Sequence, residues 1–183
     1  ADKAIEAGAA ILILSDRGVN AQFGAIPSLL AASGLHHHLV RREIRIDVGL
    51  VLESGEPREV HHFCALVGYG VTAVNPYLVF DTLRDFSRRG LLQGASWEKA
   101  CETFVKASVK GMMKVLTKMG ISTMRSYHGA QIFEGIGLGE EVVQRYFTAT
   151  PSRLGGIGLQ EIALENQMRH ESAFGSTDSV RRT

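Results

Sequence analysis

The sequence predicts an α/β fold: parallel βα units, arranged as a partial barrel or an open sheet, followed by a mainly helical C-terminal half. Three observations carry this expectation. The first half alternates short apolar runs with segments of helical period on short links. Each apolar run hands over to polar residues, as strands do where they meet loops. Past Phe86 the short apolar runs give way to longer segments of helical period punctuated by Gly or Pro.

The elements follow in order. AILILSD, Ala10 to Asp16, is almost wholly apolar, as expected of a strand buried on both faces. After a loop of Gly and small residues, Ile26-Pro27-Ser28 opens the helix SLLAASGLHHHLVRRE, which closes on Arg41 and Arg42, cations suited to the negative end of a helix dipole. RIDVGLVLE, Arg45 to Glu53, is the second strand, and Ser54-Gly55-Glu56-Pro57 is a break with proline placed to start a helix. The helix REVHHFCALVG ends at Gly68-Tyr69-Gly70, VTAVNP (Val71 to Pro76) is the third strand, and a further helix begins near Pro76. This rhythm implies parallel strands with right-handed crossovers. The opening ADKAIEAGA reads as a helix from a unit whose strand lies outside the sequence. With no initiator Met and no basic-then-apolar leader pattern, the expectation is a fragment or a processed chain.

In the second half, SRRGLLQGAS reads as a linker. SWEKACETFVKASVKGMMKVLTKMG is a long helix with Ser96 as its N-cap and Gly120 as its stop. SYHGAQIFEGIGL, GEEVVQRYF and GLQEIALENQMRHESAF all have helical period. SRLGGIGL is a Gly-rich turn linking helices, in which Arg153 could receive an anion. FGSTDSVRRT is a polar, frayed tail.

Composition narrows the function classes. A chain of 183 residues is one large domain or parts of two, and 45% apolar with 21% charged residues is ordinary for a globular protein. A formal net charge of +1, with few and scattered aromatics, predicts no nucleic-acid partner, and no apolar run reaches the roughly 18 residues of a membrane span. Cys64 and Cys101, far apart, are expected to be reduced and buried.

Several stretches look chemical. Gly68-Tyr69-Gly70-Val71-Thr72-Ala73 fits the dinucleotide fingerprint GxGxxA, but that fingerprint needs a strand before it and a helix after it. Here the order is reversed, so the glycines read as a helix stop. His36, His37 and His38 fan out by about 100° each on a helix and cannot converge on one ion. His61 and His62 fail in the same way, and the histidines read as interface and capping residues rather than metal ligands. SWEK matches a bare SxxK, without companion motifs downstream, and a cap explains Ser96. One cluster is more promising: Ser15, Asp16 and Arg17 after the first strand, Glu53 and Ser54 after the second, Asn75 after the third. The carboxyl ends of parallel strands form the binding face of βα folds. These residues read either as solvated strand ends or as a polar face in which Asp16 and Glu53 would act as an acid/base pair about 5 to 9 Å apart. No catalytic set stands out, and the chain reads as scaffold.

Longer strings go further. AILILSDRGV, IPSLLAASGLHHHL, VGLVLESGEPREVHHFCALVGYGVTAVNPYLVF, KVLTKMGISTMRSYHGAQIFEGIGL and RYFTATPSRLGGIGLQEIA, in order from about Ala4 to His170, resemble glutamate synthase, the large or ferredoxin-type subunit. The resemblance implies residues 1–90 as the C-terminal part of a central βα domain. Residues 91–173 would be a helical connection into an FMN-binding (β/α)8 domain, with a frayed tail at 174–183. The family makes two glutamates from glutamine and 2-oxoglutarate, passing ammonia from an amidotransferase domain through an internal channel to a synthase site with FMN and a [3Fe–4S] cluster. Its electrons come from ferredoxin or from an NAD(P)H-oxidising subunit, in the cytoplasm or the plastid stroma. None of the family's nucleophile, cluster or flavin-pocket patterns occurs here, so the segment is expected to bind no cofactor itself. Its partners would be the amidotransferase and FMN domains of the same chain. Two rival readings are a free-standing, non-catalytic interaction module and a small βα enzyme using Asp16 and Glu53.

Overall fold

The structure, a computed structural model, describes residues 1–175. Its first part is a three-stranded parallel sheet in the order β1 (Ile11–Ser15), β2 (Gly49–Glu53), β3 (Ala73–Asn75). Ile13 pairs with Val51 and Val51 with Ala73; Ser15 pairs with Glu53 and Glu53 with Asn75. Helix α1 (Asp2–Glu6) precedes β1, and α2 (Ser28–Arg41) and α3 (Val60–Gly68) are the crossovers. Because the strands follow one another in order, right-handed crossovers put both helices on one face. There Leu12, Leu50 and Leu52 pack with Ala32 and Leu39 of α2 and Leu66 of α3 into the main core.

The opposite face is bare. Alternation along β1 points Ile11 and Ile13 away from the helices, and they are 60% and 64% exposed. The expectation that the first strand is buried on both faces therefore fails: both crossovers cover the same side.

The second strand is also shorter than expected. Arg45–Asp47 form a 3-10 turn, and β2 begins at Gly49. Arg45 explains the turn, since its guanidinium donates to the carbonyl of Val48 (2.8 Å), to the carbonyl of Gly70 and to His36 Nδ1 (2.9 Å). Pro57 does not start α3. The N-cap is Glu59, in a capping box where His62 Nδ1 accepts from the Glu59 amide at 3.3 Å. Glu56 instead accepts from the Ser28 amide at 2.7 Å, placing a carboxylate at the positive end of α2.

After β3 come α4 (Tyr77–Arg88) and α5 (Trp97–Lys118). Ser96 caps α5 by accepting from the Lys99 amide at 3.3 Å, and Gly120 takes φ +69° just past its end. Helix α5 packs on α3 and α4, and the short α6 (Met124–Tyr127) seals the α3–α5 seam. Tyr127 is fully buried there, donating to the Cys64 carbonyl at 3.1 Å.

The last part contains strands that helical periodicity hid. In place of helix, Ile136–Leu138 is β4, and in place of a linking turn, Leu154–Ile157 is β5. They pair in parallel around a bulge, with α7 (Glu140–Tyr146) crossing between them and α8 (Leu159–Phe174) following. Gly156 lies against the backbone of Gly137, too close for any side chain. Val142, Val143 and Phe147 dock this unit on Leu29, Leu30 and Tyr69. Of the tail expected at 174–183, Phe174 ends α8 and Gly175 caps it; the rest lies outside the described residues.

Candidate functional site

Where the strands end, parity sorts the six candidate residues into two sets. Ser15, Glu53 and Asn75 share a register level and the bare face. Glu53 accepts from Ser15 Oγ (2.7 Å), Arg17 Nε (2.7 Å) and Asn75 Nδ2 (3.2 Å). The Ser15 and Arg17 hydrogen bonds hold its carboxyl below the ordinary range, so it stays ionised. Arg17, bonded to Glu53, is shifted up in turn.

Asp16 and Ser54, one residue further along, point to the helix side. Asp16 accepts from Ser54 Oγ at 2.6 Å and from the Gly55 amide at 3.1 Å, which pins the β2–α3 loop. The Ser54 hydroxyl accepts from the Glu56 amide at 3.1 Å. The six residues are thus brought together, but Asp16 and Glu53 occupy separate hydrogen-bond sets on opposite faces.

One participant escaped the sequence reading. Tyr77, first residue of α4, brings its phenol toward the Asp16 carboxylate, while Arg17 lies 4.2 Å from its ring centre. Burial first, then the Asp16 carboxylate, pushes its phenol up to about 12, so it stays protonated. The available signal was its place directly after Pro76, at the mouth of the third strand. A cavity of about 280 Å³ adjoins the lattice, lined by Ser15, Asp16, Glu53, Ser54, Phe23 and Ile26.

The histidines take the roles of interface and cap. His36 accepts from Arg45; burial first, then Arg45, lowers it to about 4, so it is neutral near pH 7. His38 meets Asp2 at 2.9 Å, and His61 lies edge-on to Phe133. Gly70, with φ +94°, ends α3, and a side chain there would overlap the His36 ring. Gly68 is the last residue of α3 and packs on Phe133, so only the second glycine of the fingerprint-like string supplies the left-handed turn. Among the described residues, no three His, Cys, Asp or Glu side chains come together as a metal set. Both cysteines are free thiols; Cys64 is buried, but Cys101, on a half-exposed flank of α5, is not. Arg153 faces Glu134 at 3.6 Å instead of forming an anion turn. No helix among the described residues is long and apolar enough to cross a membrane.

Comparison with known proteins adds the lineage. A family model described as "Glutamate synthase central domain" matches residues 1–139. The chain is 51% identical, over 95% of its length, to the large chain of glutamate synthase [NADPH] of Bacillus subtilis. It is 42% identical over 99% of its length to glutamate synthase [NADH] of Schizosaccharomyces pombe, and 39% identical over 95% to ferredoxin-dependent glutamate synthase of Pyropia yezoensis. It covers 11%, 9% and 12% of those proteins, so it spans about a tenth of their length.

Proposed function

This chain belongs to the glutamate synthase family, and on that premise we propose that it is an architectural segment of an enzyme making two glutamates from glutamine and 2-oxoglutarate. In this reading it joins the glutaminase and synthase domains and helps enclose the path of ammonia between them. The observation that carries the reading is the strand-end lattice: Asp16 and Glu53 line one cavity, yet each carboxylate is taken up by hydrogen bonds from neighbouring residues at the strand ends, and no hydrogen bond joins the two. An ionised Glu53 holding three hydrogen bonds also has no proton to give a passing ammonia, which would lose its nucleophilic lone pair on protonation. The uncovered side of the sheet, with Ile11 and Ile13 exposed, favours a covered position inside a longer chain over a free-standing module.

FMN and the [3Fe–4S] cluster would reside elsewhere in the full-length protein. Electrons would come from ferredoxin or an NAD(P)H-oxidising subunit, in the cytoplasm or the plastid stroma. The test is the mass of the native polypeptide, detected in its source cell with an antibody to this segment. A chain far larger than 19.9 kDa, co-purifying with glutamine-dependent reduction of 2-oxoglutarate, is expected. A band near 19.9 kDa without that activity would overturn the reading.

A further inference from the structure

The sequence holds six lysines, and five lie on one helix: Lys99, Lys106, Lys110, Lys114 and Lys118, all on α5. The last four recur every four residues and form one ridge about 18 Å long. Helix α5 also carries Glu98 and Glu102. Glu102 meets Lys99 at 3.4 Å and Lys106 at 3.8 Å, while Lys110, Lys114 and Lys118 have no ion-pair partner among the described residues. With five lysines against Glu98 and Glu102, this helix carries a net +3 in a chain of formal net charge +1.

A second ridge runs beside the first. Val105, Val109 and Met113, also four residues apart, are 45%, 53% and 52% exposed. They stand about 100° around the helix from the lysines and border the flank that packs on α3 and α4. Leu116 is the one buried residue of this 22-residue helix. Half of α5 is therefore an open surface divided lengthwise into an apolar strip and a basic strip.

That division selects a protein surface. Nucleic acid would use the cations but leave the Val–Met strip facing water, and an interfacial membrane helix would carry Trp, Phe or Leu on its apolar side. A protein element with carboxylates beside an apolar strip would match both ridges, with the lysine stems covering further apolar area. Relatives about ten times longer than this chain leave most of one polypeptide in which such a surface could lie, held at high effective concentration by the covalent connection.

We propose that the open face of α5 docks on an acidic and apolar surface elsewhere in the same longer polypeptide. The inference rests on the reading of the chain as a segment of glutamate synthase and locates one of its inter-domain contacts. Carbodiimide, which joins lysine amines directly to touching carboxylates, tests it on the full-length polypeptide. After digestion, mass spectrometry should find Lys110, Lys114 or Lys118 linked to Asp or Glu outside this segment of the same chain. High salt during coupling should diminish the links, and Lys110→Gln with Lys114→Gln and Lys118→Gln should remove them. Acetylation of these lysines should be several-fold slower in the native protein than in urea.

Links confined to Glu102 with Lys99 and Lys106, together with acetylation at the unfolded rate, would overturn the docking while leaving the glutamate synthase reading intact. Links to a separate polypeptide would overturn the proposed source. A native chain of only 19.9 kDa would overturn the underlying reading itself, and the docking with it.

Discussion

The two parallel sheets of this chain are built by opposite means. The first is made of leucine-rich strands whose inward residues Leu12, Leu50 and Leu52 are held under two helices. The second is two short, glycine-rich strands, with Ile136 and Leu154 71% and 64% exposed and Gly156 pressed on the Gly137 backbone. Side-chain burial drives the first sheet. Close backbone approach, plus docking of α7 on α2, permits the second. A sheet of the first kind reports itself in hydrophobicity, whereas one of the second kind has little pattern to report.

The contrast can be broken most forcefully in the first core. Leu50→Ala removes a fully buried side chain and should cost about 2 to 5 kcal/mol, lowering the unfolding midpoint of the whole protein in a denaturant titration. Gly70→Ala should cost roughly 2 to 4 kcal/mol, since alanine resists φ +94° and its methyl would meet His36. A loss as small as that of an exposed surface substitution would show that the α3 stop is not held by Arg45 and His36.

The second sheet should answer differently. Gly156→Ala is expected to cost about 1 to 3 kcal/mol. Hydrogen exchange should show the loss at 136–138 and 154–157, with β1 to β3 unchanged. Equal loosening of both sheets would remove the distinction between them.

The smallest effect concerns the lattice. Glu53 titrates lower in the folded state than its ordinary 4.5, so the stability it contributes is present above about pH 4.5 and is lost as pH falls through its folded pKa. Glu53→Gln should flatten that acid limb of the unfolding midpoint against pH. An unchanged limb would mean that the Ser15, Arg17 and Asn75 bonds contribute nothing beyond geometry.

Much of the first part was legible in the sequence. The runs that became β1, β2 and β3 are apolar and bounded by turns, and Ser96 and Gly120 bracket α5 as its sequence implies. The failures have specific causes. Arg45–Asp47 read as strand because RIDV is compatible with one, but the Arg45 guanidinium winds it into a turn by reaching three acceptors. Ile136–Leu138 and Leu154–Ile157 were hidden because glycine erases alternation, and each strand exists through pairing with the other.

The candidate site divides in the same way. Local composition was enough to single out Ser15, Asp16, Arg17, Glu53, Ser54 and Asn75 as a polar rim, because each follows an apolar run directly. Family membership, too, was written in long strings of residues. Tertiary structure alone decided that Glu53 gathers Ser15, Arg17 and Asn75 while Asp16 takes Ser54 and Gly55. The reason is register: side chains alternate with a period of two, and a shift of β1 by one residue against β2 would replace Ser15 with Asp16 opposite Glu53, setting two carboxylates side by side.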